Sequence, residues 1–115
     1  MVLAVTAVDI KSRVEFDSGT SWGEFGPYER IDGVVEFGVD PDNAANSGII
    51  DLHHSPVDSS GFVNFSSDFI LLTPSTRESS RLLVDVVNRG RKRAISDFNM
   101  ASSDLTPSAT IEPGD

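Results

Sequence analysis

Cysteine is absent from this 115-residue chain. That absence excludes disulfides, thiolate nucleophiles, zinc fingers and iron–sulfur sites. Long apolar runs are missing as well, and no stretch approaches the ~20 residues that a membrane span needs. The opening "MVLAVTAVDIKSR" is no convincing signal peptide: it lacks a basic start, and Asp9 and Lys11 interrupt it early. The expectation from this reading is a cytoplasmic protein. Basic residues are few, nine Lys and Arg against eighteen Asp and Glu, for a formal net charge of −9. Such a balance repels nucleic acid and anionic membranes at long range. The one local exception, "RGRKR" (Arg89 to Arg93), holds four of the nine basic residues. It reads as a solvated loop, or as a loop paired with acidic residues elsewhere, rather than as a nucleic-acid patch. Amphipathic helical periodicity is the last absence, since no window carries a persuasive one.

What is present has period two. The length suits one small domain with a single core. "AVTAVDI" (Ala4 to Ile10), "RVEF" (Arg13 to Phe16), "VVEFGV" (Val34 to Val39), "FVNF" (Phe62 to Phe65) and "DFILLT" (Asp68 to Thr73) are short and rich in β-branched and aromatic residues. Turn formers bound them: "DSGT", "GPYE", "IDG", "DPDN", "DSSG" and "TPS". In "VVEFGV", alternation puts Val35, Phe37 and Val39 on one face and Glu36 and Gly38 on the other, the mark of a half-buried strand in an antiparallel meander. "RLLVDVVN" (Arg81 to Asn88) is different, apolar on both faces apart from Asp85. It reads as a central strand of an α/β sheet, yet nothing in the chain supplies the helices to cover it. A helix of one or two turns is expected around Ile95 to Ala101. The closing "ASSDLTPSATIEPGD" is polar and aperiodic, a loop or frayed tail. An uncovered central strand followed by such a tail predicts a fragment that stops before its fold is complete.

Several residues invite chemical readings. "GTSWG" (Gly19 to Gly23) fits G-x-S-x-G, the pattern that sets a serine nucleophile on a sharp strand-to-helix turn. The context disagrees. Only "RVEF" precedes it, and "EFGPYER" follows, where Gly26 and Pro27 oppose a helix. His53 and His54 stand two and three residues from Asp51, too near in the chain for an imidazole to sit between Ser21 and an acid. As metal ligands with Asp51 or Asp58 the histidines fare no better, because neighbours on an extended segment point to opposite sides. Asn64 in "NFS" fits a glycosylation acceptor, without consequence in a chain lacking a signal peptide. Asp9, Asp40, Asp42 and Asp51 lack calcium-loop spacing. No metal or cofactor is expected.

Four stretches in fixed order, "FGPYERIDGVVEFGVDP" (Phe25 to Pro41), "NSGIIDL" (Asn46 to Leu52), "SGFVNFSSDFILLTP" (Ser60 to Pro74) and "RLLVDVVNRGRKRAISDFN" (Arg81 to Asn99), resemble the N-terminal region of the alpha/beta hydrolase domain-containing proteins, a family several times longer than this chain. The resemblance covers about residues 10 to 99 and implies a serine hydrolase of ester or acyl bonds whose nucleophile, acid and base all lie outside this chain. It places "GTSWG" ahead of "GPYE" and away from the family's nucleophile. It also implies that "LLVDVV" and "NRG" match the third strand and the loop that supplies an oxyanion-hole amide. A backbone amide near Arg89 or Gly90, with Asn88 fixing the loop, then faces the oxyanion. The residues alone support only a plain left-handed turn there, and both readings stand.

The expectations are therefore a β-rich fold, mostly antiparallel or mixed sheet with little helix, forming the N-terminal portion of an α/β-hydrolase-type fold. Residues 1–93 form the β-rich segment and residues 94–115 a loop or flexible tail. The expected partners are a small-molecule ester or acyl substrate in the full-length protein and, through exposed strands, a second copy of the chain. Neither nucleic acid nor a membrane span is expected. A non-catalytic β-module for binding or scaffolding is the alternative.

Overall fold

A computed structural model describes residues 3–76, 80–87, 93, 94 and 97. The described residues are β-rich and antiparallel, without a long helix. Four strands form one sheet: β1 (Leu3–Glu15), β2 (Ser21–Trp22), β3 (Gly26–Val39) and β4 (Val63–Pro74). β1, β2 and β4 all pair with β3. The 3₁₀ turns at Ala44–Asn46 and Leu52–His54 lie between β3 and β4. Two compact units are distinguished, one drawn from Met1–Val14 with Arg30–Leu71, the other from Glu15–Glu29 with Leu72–Asp115.

The strands are longer than the sequence pattern suggests. β1 joins "AVTAVDI" to "RV" through Lys11 and Ser12, and β4 joins "VNF" to "DFILLT" through Ser66 and Ser67. The larger difference is in β3, where "GPYE" and "IDG", expected as turns, are strand. Proline is tolerated at the start of a strand, and Pro27 is the second residue of β3, facing Ser21 across the short β2 pairing. "IDG" stays extended because Arg30 and Asp32, two apart, share a face. Arg30 Nε donates to Asp32 Oδ2 at 2.9 Å and a second guanidinium nitrogen to Oδ1 at 2.8 Å. The carboxylate that favours a turn is thereby used to stiffen a strand. Ser12 Oγ on β1 adds a donor to the same Oδ2 at 3.4 Å.

In the first unit β3 has a long strand on either side. Gly38 has Thr6 of β1 and Asn64 of β4 beside it, and Gly33 has the Asp9 carbonyl of β1 and the Phe69 ring of β4. Phe37 and Phe65 stack across β3 and β4, with centroids 4.8 Å apart and 15° between planes, one of the aromatic cross-strand pairs that hold sheets together. The expected alternation is seen in part. Val39 is buried and Glu36 exposed, but Gly38 is buried as well because both neighbouring strands crowd it. The buried apolar side chains are Ile31, Val39, Leu52 and Val63, of which Val39, Leu52 and Val63 form one cluster. Leu52 reaches it from the 3₁₀ turn, so the excursion between β3 and β4 closes one end of the pair.

This core is small beside the apolar surface left in water. Val5, Val8 and Ile10 of β1 are exposed; as odd and even positions they occupy both faces of the strand. "RLLVDVV" is corrected by the structure. Residues 81–87 form no strand, and Leu82 and Val86 are 76% and 89% exposed. A run apolar on both sides is a central strand only where layers cover it, and nothing among the described residues covers this one. Ala94 and Asp97 are helical, within or beside the short helix expected at Ile95 to Ala101; the remainder of that segment and the tail lie outside the described residues.

Gly33 gives the fold its sharpest test. A Cβ there stands 2.7 Å from the Asp9 carbonyl oxygen and from two ring carbons of Phe69. The ring can swing away but the neighbouring strand's backbone cannot, so Gly33→Ala is expected to cost about 1–3 kcal/mol by overpacking. Gly38→Ala meets only side-chain atoms at 3.3 Å or more and is expected to cost less. Urea unfolding midpoints of the two variants check the order.

Candidate functional site

The glycine-rich loop around Ser21 shows why its motif is not an elbow. Phe16–Gly19 is a tight turn with Asp17 and Ser18 both left-handed, at φ 48° and 52°. Thr20 closes it, its backbone N and Oγ1 both donating to the Asp17 carbonyl at 3.0 and 2.8 Å. Ser21 then begins a strand of two residues, and one 3₁₀ turn (Gly23–Phe25) brings the chain back so that Ser21 faces Pro27 and Trp22 faces Gly26. Gly26 makes this return with φ +73°, a conformation that favours glycine. A nucleophile elbow needs a buried strand before the serine and a helix after it. Here a turn precedes Ser21, a hairpin follows it, and its side chain is exposed. Phe16 and Trp22 pack with ring centroids 6.4 Å apart, and the buried Trp22 Nε1 has no hydrogen-bond partner among the described residues. Ser21 belongs to one compact unit and Asp51, His53 and His54 to the other.

His53 and His54 lie on a 3₁₀ turn rather than on the extended segment expected for them. Asp51, left-handed at φ 61°, starts the turn, and its carbonyl accepts from His54 N at 3.0 Å. Successive residues of a 3₁₀ turn are about 120° apart. The turn therefore spends Leu52 on the core and leaves both imidazoles in solvent. Asp58, the other acid considered with them, is engaged in its own loop. Its Oδ1 accepts from Ser60 N at 2.8 Å and Phe62 N at 3.0 Å, while Oδ2 accepts from Asn64 Nδ2 at 2.7 Å. Backbone bonds from Asp58 N to the Phe62 carbonyl and from Gly61 N to the Asp58 carbonyl complete the loop that leads into β4. Asn64, the sequon residue, thus uses its amide to steady this turn. Asp40 acts similarly, taking Asp42 N on its carboxylate and the buried Asn46 side chain on its carbonyl. Among the described residues no three His, Asp or Glu side chains are grouped so as to hold a metal ion.

Asn88, Arg89 and Gly90, the residues considered for an oxyanion loop, lie outside the described residues, as does most of "RGRKR". Its last member, Arg93, is paired with acids. Nε donates to Asp97 Oδ2 at 3.1 Å, and its backbone N, with that of Ala94, donates to Asp85 Oδ2 at 2.8 and 2.9 Å. Those two amides hold the Asp85 carboxyl below the usual carboxylate range.

The remaining concavity is an open groove of about 310 Å³ on the first unit, lined by Thr6, Glu36, Phe37, Asn64, Phe65 and Ser66. It offers an aromatic stack, the Glu36 carboxylate and several neutral polar groups, but no histidine beside Ser66. Sequence reasoning did not find this groove, because it arises from the pairing of three strands; the local signal was the Val-x-Phe shared by "VEF" (Val35 to Phe37) and "VNF" (Val63 to Phe65). Among the described residues no helix is long and apolar enough to cross a membrane. No family model, curated protein or solved structure matches this chain.

Asp58 gives a pH-dependent prediction. The Asn64 amide and then the Phe62 and Ser60 backbone amides hold its carboxyl below the ordinary value of 3.8. A carboxyl depressed in the folded state adds stability above its unfolded pKa and loses it as pH falls through the folded one. Asp58→Asn is therefore expected to unfold at lower urea than the parent at pH 7. The gap should narrow at acid pH, once the parent's carboxyl is also protonated; equal midpoints at pH 7 would remove the role.

Proposed function

We propose that the chain forms a non-catalytic, β-rich part of a serine hydrolase acting on ester or related acyl bonds. The observation that carries this reading is apolar surface without a cover: β1 exposes apolar side chains on both faces, and Leu82, Leu83, Val84, Val86 and Val87 are all exposed. Apolar surface of that extent marks an interaction face. The order of "GPYE", "SDF" and "VNRG" assigns the covering layers to the helices of an α/β-hydrolase-type fold. Chemistry then proceeds by acylation of a serine with a histidine base, both supplied by residues outside this sequence, on a small-molecule ester or acyl substrate. This chain contributes sheet and, near Arg89 and Gly90, one oxyanion-hole amide; loss of such a donor lowers rate roughly 10²–10³-fold.

A second reading, a β-module that binds or self-associates, is favoured by one separate observation. β1 pairs with β3 alone among the described residues, so its outer edge is open.

A fluorophosphonate probe separates these readings. The purified chain is expected to stay unlabelled and to leave p-nitrophenyl acetate intact, with Ser21→Ala identical to the parent. Antibody raised against the chain should recover from its source cells a probe-labelled protein whose modified serine lies outside these residues. Labelling at Ser21, or recovered protein with no labelled serine, would overturn the hydrolase reading.

A further inference from the structure

We propose that the open edge of β1 pairs antiparallel with β1 of a second copy of this chain, about a two-fold axis through Ile10. The proposal deepens the self-association reading and is independent of the hydrolase chemistry.

An edge strand carries unpaired backbone donors and acceptors, and a lysine on it ordinarily discourages a second copy. β1 has such a lysine at its middle, but Asp9 stands two residues earlier on the same face and is ion-paired with Lys11 within the strand. In an antiparallel pair centred on Ile10, residue i faces residue 20 − i. Asp9 of each copy then faces Lys11 of the other, twice by symmetry, so the local ion pair becomes a four-charge cluster. Ala7 faces Arg13, Val8 faces Ser12, Thr6 faces Val14, and the two Ile10 side chains meet at the axis.

Moving the axis by one residue destroys this match. Centred on Asp9, two aspartates face each other; centred on Lys11, two lysines do, although Asp9 then faces Arg13; centred on Ser12, two residues on, Lys11 faces Arg13 and Asp9 faces Glu15. Directly opposed like charges destabilise a strand pair, and opposed unlike charges stabilise it. Of these registers, only the one centred on Ile10 opposes unlike charges with no like charges opposed, and a second copy supplies that match. β4 lacks this property. It carries Asp68 and no basic residue, and it ends in Pro74, which cannot donate to a ladder. Pairing on β1 extends the sheet across two copies and brings their exposed Ile10 side chains into contact.

Cysteine scanning tests the register cleanly, because the chain has no cysteine of its own. Facing residues in an antiparallel pair have Cα atoms about 4.5–5.5 Å apart, within disulfide reach. The thiols of Ile10→Cys face each other and are expected to cross-link rapidly under mild oxidation. Those of Val8→Cys lie four residues apart along the pair, about 14 Å, and should not. By sedimentation, Lys11→Glu should raise the dimer dissociation constant about tenfold or more, as two favourable pairs become two repulsive ones. The exchange Asp9→Lys with Lys11→Asp should restore it, with circular dichroism showing that the sheet is kept. Ile10→Cys cross-linking no faster than Val8→Cys, a folded double exchange that stays dissociated, or a parent monomeric at about 100 μM would each overturn the proposal. The last result would mean that the edge is covered by something other than a second copy. Fluorophosphonate labelling is unaffected by any of these outcomes, so the two proposals fail separately.

Discussion

The close pairing of β3 with a long strand on either side is the constraint from which the rest of the first unit follows. Gly33 and Gly38 sit where β1 and β4 approach most closely, and a side chain at Gly33 would collide with a backbone carbonyl. That approach brings Phe37 onto Phe65 and Val39 onto Val63. The turn at Leu52 then needs to supply only one more apolar side chain to close the cluster. A sheet built this way spends little apolar area on its own core, so the open groove and the exposed strand faces are consequences of the same pairing.

The acidic balance has a structural use throughout. Asp32 is held by Arg30, Asp40 and Asp58 arrange turns by accepting backbone amides, and Asp85 gathers the amides of Arg93 and Ala94. The last three take amides that an irregular backbone would otherwise leave to water. Asp40 and Asp58, which suggest metal chemistry when read singly, are thus committed to loop geometry. This accounts for the lack of a metal cluster among the described residues in a chain with so many acids.

Both proposals rest on exposed surface of the described residues. The proposed hydrolase reading and the proposed β1 pairing address different parts of that surface. One covers the faces of apolar strands, the other completes a ladder at an edge. They are compatible, because the edge runs in the plane of the sheet while covering layers pack on its faces.

Strand-forming content and the turns at "DSGT", "DPDN" and "DSSG" were legible from alternation and turn residues, since those signals are local. So was the failure of "GTSWG" as an elbow, because Gly26 and Pro27 forbid a helix wherever the loop sits. Other features depended on partners distant in the chain. "IDG" reads as a turn until Arg30 grips Asp32 and β1 and β4 close on Gly33. "RLLVDVV" reads as a buried strand until the structure leaves its apolar side chains exposed. The two histidines read as opposed until Asp51 turns the chain left-handed. By itself the sequence determined a β-rich chain with acids at its turns, because periodicity, residue chemistry and backbone preference act over a few positions. Which glycines are strand, which aspartates are spent and which edge stays open was decided only by tertiary pairing, because each depends on a neighbour that chain order does not name.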